Sequence, residues 1–309
     1  MTHFHPLSIK KIERITPNAI TIAFTIPASL KADFNYKPGQ YITIKKILNG
    51  TELRRSYSIC SAPSSGELVV SVKKMRDGTF SRYANNELKE GEVLEVHPPE
   101  GRFVFEPNDA NIVNMAAFAA GSGITPIMAI MKSFLEQKKG HFALVYGNQS
   151  VTETMFFDEI NQLKKAYPER LHLYFTFSRA QEGDSLFGRI EKSTANFVLK
   201  NKLKDISFDA YYLCGPEGMI DTVTETLVAN QVPKEKIKTE LFTSSTPEAK
   251  PQQPHEGKTL VKVVVDDETF EFGMDKKQRV LDAVLGQKID APYSCQGGIC
   301  SSCLLYTSD

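Results

Sequence analysis

Met115-Ala116-Ala117-Phe118-Ala119-Ala120-Gly121-Ser122-Gly123-Ile124-Thr125-Pro126-Ile127-Met128 is the stretch on which the fold turns. The apolar run from Asn111 to Ala120 reads as a buried strand. Gly121 and Gly123 permit a tight turn, and Pro126 suits the first turn of a helix running from Ile124 to Gln137. A strand, a glycine turn and a helix in succession open a parallel α/β unit, and the turn falls at the carboxyl end of the strand, where such sheets bind ligands. So placed, the turn reads as a diphosphate cradle.

The alternation continues downstream, with strands at Phe142–Tyr146, Leu171–Phe177 and Ala210–Cys214 and helices near Phe156–Ala166 and Met219–Ala229. The expectation is an α/β parallel-sheet domain over 108–243. Upstream, Ile20, Ile22, Phe24 and Ile26 alternate after a Thr16-Pro17-Asn18 turn. Tyr41–Ile44, Leu68–Lys74 and Val93–His97 read as further strands, with turns at Asn49-Gly50 and Asp77-Gly78. Many strands and one short helix, Phe80–Glu87, predict an antiparallel β-barrel over 1–107. Thr243 to Gly257 is rich in Ser, Pro and polar residues and reads as a tether, 244–258. Beyond it a hairpin around Asp266-Asp267 and a helix at Val280–Leu285 begin a small α+β unit, 259–309.

Within that last unit stand Cys295, Cys300 and Cys303, with C-x4-C-x2-C spacing. This is the plant-type spacing for a [2Fe–2S] cluster, and it is not a usual zinc spacing, zinc or a chance group of thiols being the alternatives. Five cysteines without a leader, three of them crowded at one end, fit reduced thiols and a cytoplasmic setting. Lys plus Arg equals Asp plus Glu at 37 each, so no global charge draws nucleic acid or a membrane surface. The most apolar region, Met115 to Met131, is interrupted by Gly121, Gly123 and Pro126 and falls short of a membrane span.

Arg54-Arg55-Ser56-Tyr57-Ser58-Ile59-Cys60-Ser61 lies within the barrel region, and there the sequence resembles the ferredoxin–NADP reductase superfamily. The resemblance implies that Arg55 pairs with the pyrophosphate of FAD, Tyr57 lies against the isoalloxazine and Ser58 hydrogen-bonds near flavin N5. The residue types suit these roles, since a forked cation matches phosphate, an aromatic face matches a flat ring, and a hydroxyl can steady the hydride-accepting atom. Gly78 and Ser81 of Gly78-Thr79-Phe80-Ser81 match the family's phosphate-holding helix start, a segment that by itself is more often a helix cap than a ligand site. Gly121, Gly123, Thr125 and Pro126 match its nucleotide turn. Ser178-Arg179 matches the site for the 2′-phosphate of NADP(H). Cys214, Gly215, Pro216 and Met219 match its C-G-P-x-x-M, which places Cys214 beside the nicotinamide. Phe242 matches an aromatic close to the flavin. Pro99 to Phe103 matches a structural segment, and Gly188-Arg189-Ile190 matches one whose role the sequence leaves open.

Taken in order, flavin barrel, nucleotide domain and C-terminal ferredoxin look most like reductase components of multicomponent oxygenases of the phenylacetyl-CoA epoxidase type. The resemblance implies electron flow from NADPH through FAD to a [2Fe–2S] centre and on to an oxygenase or other electron-acceptor protein. A ring-hydroxylating oxygenase, an alkane hydroxylase and a soluble ferredoxin remain alternative acceptors, and a non-catalytic electron relay is the rival of another class. The family's fourth cysteine lies beyond the third, whereas the sequence stops six residues after Cys303. A truncated β-grasp ferredoxin-like domain is therefore expected, with NADPH-to-flavin transfer retained and stable cluster assembly lost.

Overall fold

The computed structural model describes residues 4–243, 257–265, 268–287 and 289. Seven elements build the first unit: β1 (His5–Thr16), β2 (Ala19–Thr25), β3 (Tyr41–Leu48), β4 (Thr51–Ser58), β5 (Leu68–Lys73), α1 (Thr79–Asn86) and β6 (Val93–Glu100). The strands form one antiparallel sheet in the order β4-β3-β6-β1-β2-β5. An antiparallel bridge between Ile59 and Val70, with the Cys60 amide donating to the Val69 carbonyl at 2.9 Å, joins the two outer strands and closes a barrel. The alternation read at Ile20 and Ile22 points inward, where both meet Ile42, Ile44, Val70, Val72, Leu94 and Val96 in a buried core. Phe80 and Ala84 of α1 complete that core from one end.

The second unit follows as β7 (Met115–Ala120), α2 (Ile124–Gln137), β8 (Phe142–Asn148), α3 (Phe157–Ala166), β9 (Leu171–Phe177), β10 (Leu186–Phe187), α4 (Lys192–Asn196), β11 (Ala210–Pro216), α5 (Glu217–Ala229) and β12 (Ile237–Thr243). Its sheet runs β10-β9-β8-β7-β11-β12 and every neighbouring pair is parallel. Successive side chains of β7, β8 and β11 part between two cores. Met115, Ala117, Phe142, Leu144 and Tyr212 face α2 and α3, whereas Phe118, Val145 and Leu213 face α5. The α2 core also takes in Ala19, Cys60, Phe103 and Phe105, all from the barrel or the segment leaving it. The α2 core thus reaches across both units, and the Tyr212 hydroxyl and Lys238 Nζ pin the Val104 carbonyl between them at 2.9 and 3.0 Å.

The tether read over 244–258 lies outside the described residues except for its last two, of which Lys258 already opens β13 (Lys258–Val265); β13 pairs antiparallel with β14 (Glu268–Asp275), and α6 (Val280–Gly286) follows. Val284 and Ile289 are buried against Val263, Phe270, Phe272 and Val280. Asp266-Asp267 and the three cluster cysteines Cys295, Cys300 and Cys303 lie outside the described residues. Among the described residues no helix is long and apolar enough to cross a membrane.

Candidate functional site

A cavity of about 310 Å³ opens where the barrel meets the carboxyl ends of the parallel strands. Its barrel wall is the end of β4, the end of β5 and the start of α1; its other wall is the α2 turn and the end of β12. β4 lies at the margin of its sheet, paired along its length with β3 alone, so Arg55, Ser56, Tyr57 and Ser58 all reach the cavity. Ser58 is buried and pairs with Tyr41 of β3, whose ring also lines the wall. Tyr57 packs against Phe80, ring centroids 5.7 Å apart, and burial raises its phenol well above the ordinary value although Arg55 draws it back. The ring therefore stays neutral, as an aromatic platform must. Arg55 Nη1 donates to the Arg54 carbonyl at 2.7 Å, which turns the guanidinium along the strand.

Gly78 caps α1 without a side-chain cap, leaving the first-turn amides open to the cavity. A Cβ on Gly78 would lie 2.3 Å from Ser81 Oγ and 2.9 Å from Met75 Cβ, so glycine is required by space. Ser81 Oγ is itself engaged, accepting from the Met75 amide at 3.1 Å and donating to the Gly78 carbonyl at 3.3 Å. Its hydroxyl closes the 75–78 turn, and the amides of α1 are what the turn offers an anion.

At the facing wall Gly121 has φ +54°, and the turn Gly121–Gly123 leads into α2. A Cβ on Gly123 would lie 2.2 Å from the Cys214 carbonyl oxygen. The second glycine thus lets β11 cross the turn closely, while the first sets the bend. Thr125 Oγ1 donates to the Ser122 carbonyl at 3.0 Å, and Pro126 lies buried in the first turn of α2. Ser122 and Thr125 line the cavity, and Gly121 faces Lys73 of β5, whose Nζ would lie 3.8 Å from a Cβ there.

Cys214 is fully buried at the end of β11, its Sγ 4.0 Å from Glu240 Oε2 of β12. Burial, and secondarily the Glu240 charge, push its thiol well above the ordinary value. Glu240 and Phe242 line the cavity; Cys214 stands behind Glu240. Gly215 is buried, Pro216 is exposed, and Met219 turns into the α5 core beneath Gly215. Ser178 and Arg179 follow the end of β9, away from this cavity, their amides held by the Asn148 and Gln149 carbonyls at 3.0 Å each, with Arg179 exposed.

The cavity thus gathers Arg55, Tyr57, Ser58, Gly78, Ser81, Thr125 and Phe242 from the sequence reading. The α2 turn and the β11 motif frame it, and Arg179 stands at a separate strand end. Tyr41, Lys73 and Glu240 escaped the sequence reading. Glu240 sits in the Thr239-Glu240-Leu241-Phe242 segment, and its register opposite Cys214 becomes visible only once β11 and β12 pair. The residues fit the ring and phosphate groups of a flavin and a dinucleotide: a neutral aromatic platform, a cation, an uncapped start of α1 and a glycine turn at the carboxyl end of β7.

Three family models match in the same order. An oxidoreductase FAD-binding domain covers residues 6–105, an oxidoreductase NAD-binding domain 118–225 and a 2Fe-2S iron-sulfur cluster binding domain 263–309. A component of the 1,2-phenylacetyl-CoA epoxidase of Escherichia coli (strain K12) is 36% identical over 98% of this chain and 86% of its own. The ferredoxin reductase component of the 3-ketosteroid-9-alpha-monooxygenase of Rhodococcus rhodochrous is 31% identical over 96% of this chain and 84% of its own. Among solved structures, phthalate dioxygenase reductase shares the fold with TM-score 0.68 at 22% identity, covering 97% of this chain and 85% of that one.

Proposed function

The chain belongs to the family of oxygenase reductase components that join FAD-binding, NAD-binding and 2Fe-2S domains, and on that premise we propose that it takes hydride from NADPH for an oxygenase acting on phenylacetyl-CoA. The observation that carries this reading is a cavity built jointly by the Arg55–Ser58 strand end, the α1 start, the α2 turn and the β12 end. Donor and acceptor rings must come within about 3–3.5 Å for hydride transfer. Only a pocket fed by both units can bring them so close.

When bound, FAD would supply the exchange between one two-electron hydride and two single electrons that a [2Fe–2S] acceptor requires. In this assignment Arg55 and the α1 amides hold the flavin phosphates. Tyr57 offers a neutral ring to the flavin plane, and the buried Ser58 hydroxyl donates toward its reacting edge. The amides of the Gly121–Gly123 turn with Lys73 receive the nucleotide diphosphate, and Arg179 takes the 2′-phosphate that distinguishes NADPH from NADH. Cys214 stays a protonated thiol, packed behind Glu240, and shapes the nicotinamide side of the pocket without supplying a charge. The spacing of Cys295, Cys300 and Cys303 in the sequence suits a reducing, cytoplasmic setting.

Two measurements test the reading. FAD-loaded chain should oxidise NADPH with ferricyanide as acceptor, and apoprotein should not; an inert FAD-loaded chain would defeat the reductase assignment. Where the chain is shown by iron and sulfide assay to carry a [2Fe–2S] centre, reconstitution with oxygenase components that act on phenylacetyl-CoA or on a ketosteroid should give coupled turnover with the former, and preference for the ketosteroid system would reassign the partner. A non-catalytic relay would bind FAD yet leave NADPH untouched.

A further inference from the structure

We propose that Tyr146 is a positioning residue that orients the nucleotide turn, an inference that rests on reading Gly121–Pro126 as the seat of the nucleotide diphosphate. Tyr146 lies in the middle of the parallel sheet on β8, fully buried, and no motif marks it. Its hydroxyl donates to the Gly121 carbonyl at 3.0 Å and lies 3.4 Å from the Met155 carbonyl. A buried phenol whose pKa is pushed up by desolvation remains a donor across the working pH range.

The consequence follows from peptide geometry. The described peptide bonds include no cis bond, so the N–H of Ser122 points opposite to the C=O of Gly121. Tyr146 draws that carbonyl inward, toward the sheet. The Ser122 amide is thereby turned outward, on the side where Ser122 lines the cavity and where Lys73 Nζ approaches Gly121. Gly121 at φ +54° has no side chain of its own to select this orientation. The Ile124 amide also reaches the Gly121 carbonyl but belongs to the same turn and moves with it. Tyr146 is the anchor from another element. It sets the direction of a backbone donor that it never accompanies into the pocket.

Tyr212 provides a matched control. It is another fully buried tyrosine of the same sheet, and its hydroxyl donates to the Val104 carbonyl at 2.9 Å, with no bond to the turn. Tyr146→Phe and Tyr212→Phe each remove one hydroxyl and its bond to a carbonyl while keeping the ring, so both should lower thermal stability. With the full FAD-loaded chain, Tyr146→Phe should weaken NADP⁺ binding by titration calorimetry about tenfold, the worth of one hydrogen bond, and raise KM for NADPH similarly. Its kcat with ferricyanide and its FAD content should stay within about twofold of the parent on this account, because no group in contact with the flavin is altered. Tyr212→Phe should leave NADP⁺ affinity unchanged.

NADP⁺ binding by Tyr146→Phe equal to that of the parent would overturn the proposal, as would an equal loss in Tyr212→Phe. A parent chain that binds no NADP⁺ would instead defeat the nucleotide reading itself and the proposal with it. Should Tyr146→Phe fail to hold FAD, 3-fluorotyrosine at position 146 serves in its place: a stronger donor of nearly the same volume must tighten NADP⁺ binding, and unchanged affinity would refute the role.

Discussion

Replacing Gly123 by alanine adds one methyl group at the point where the α2 turn passes under β11. Built on the present backbone, that carbon lies 2.2 Å from the Cys214 carbonyl oxygen, 2.5 Å from its carbon and 2.8 Å from the Gly215 nitrogen. All three are main-chain atoms, so no rotamer can swing away. Carbon and carbonyl oxygen settle at about 3.3 Å or more, and turn and strand must therefore separate by about 1 Å. Overpacking of this kind costs about 1–3 kcal/mol, or roughly 3–10 °C in melting temperature for a unit of this size. The larger effect falls on catalysis, because the turn and the β11 motif frame the same pocket, and a displacement of about 1 Å there lowers kcat/KM for NADPH by roughly ten- to a hundredfold. Gly218→Ala is the control: it lies in α5 with nothing within 4 Å of its Cβ, and it should leave turnover unchanged with melting level or slightly raised. Melting curves and NADPH–ferricyanide kinetics on both variants decide the matter. A Gly123→Ala protein with parental melting and kcat/KM would refute the steric account of the second glycine.

Arg179→Ala should raise KM for NADPH about ten- to a hundredfold, the worth of a charge-assisted contact, and leave NADH within about twofold. Equal losses with both nucleotides would remove Arg179 from the 2′-phosphate site. In the native protein Cys60, its thiol pushed up to about 12 by burial, and Cys214 should resist iodoacetamide at pH 8, and both should react once the chain is unfolded. Peptide mass spectrometry separates them from the remaining cysteines, and rapid native labelling of either would contradict its buried placement. His172, whose ring lies 3.1 Å from His141, is held below its ordinary value by burial first and then by His141 and Lys164, against the pull of Glu169. The unfolded chain thus binds the proton more readily, so this histidine's contribution to stability is full above about pH 6.5 and is lost as pH falls through the lower folded value. Urea midpoints at pH 7.5 and 5.5 should differ more in the parent than in His172→Gln, and identical differences would show that the pair does not govern the acid response.

Where one periodicity governed a segment, the sequence was plain. Ile124–Gln137 and Leu171–Phe177 have the ends expected of them, and Ile20 and Ile22 point where their alternation said. β1 was hidden because register shifts between Ile9 and Lys11 and between Arg14 and Thr16 break its period of two. β4 was hidden because a marginal strand reading Thr-Glu-Leu-Arg-Arg-Ser-Tyr-Ser buries only its last residue and shows no apolar face. The π-helical turn Phe197–Lys202 has no sequence signature at all. In the site, motif residues were legible because each sits beside its neighbours in the chain. Lys73, Glu240 and Tyr146 were not, because they act across strand pairings, and the local sequence alone does not draw the turn that the Ser81 hydroxyl closes.

The interior shared by the two units bears on how such reductases can be recombined. Phe103 and Phe105 precede the first strand of the α/β unit, yet they pack with α2 side chains and, in the case of Phe103, edge-on against Tyr212 at 5.2 Å. A chimera cut at residue 107 to exchange nucleotide specificity would part these rings from their mates and expose an apolar seam on each fragment. A breakpoint within 244–256, after β12, cuts none of these contacts. Grafted electron carriers are therefore best exchanged there, whereas the hydride-handling half is inherited as one piece.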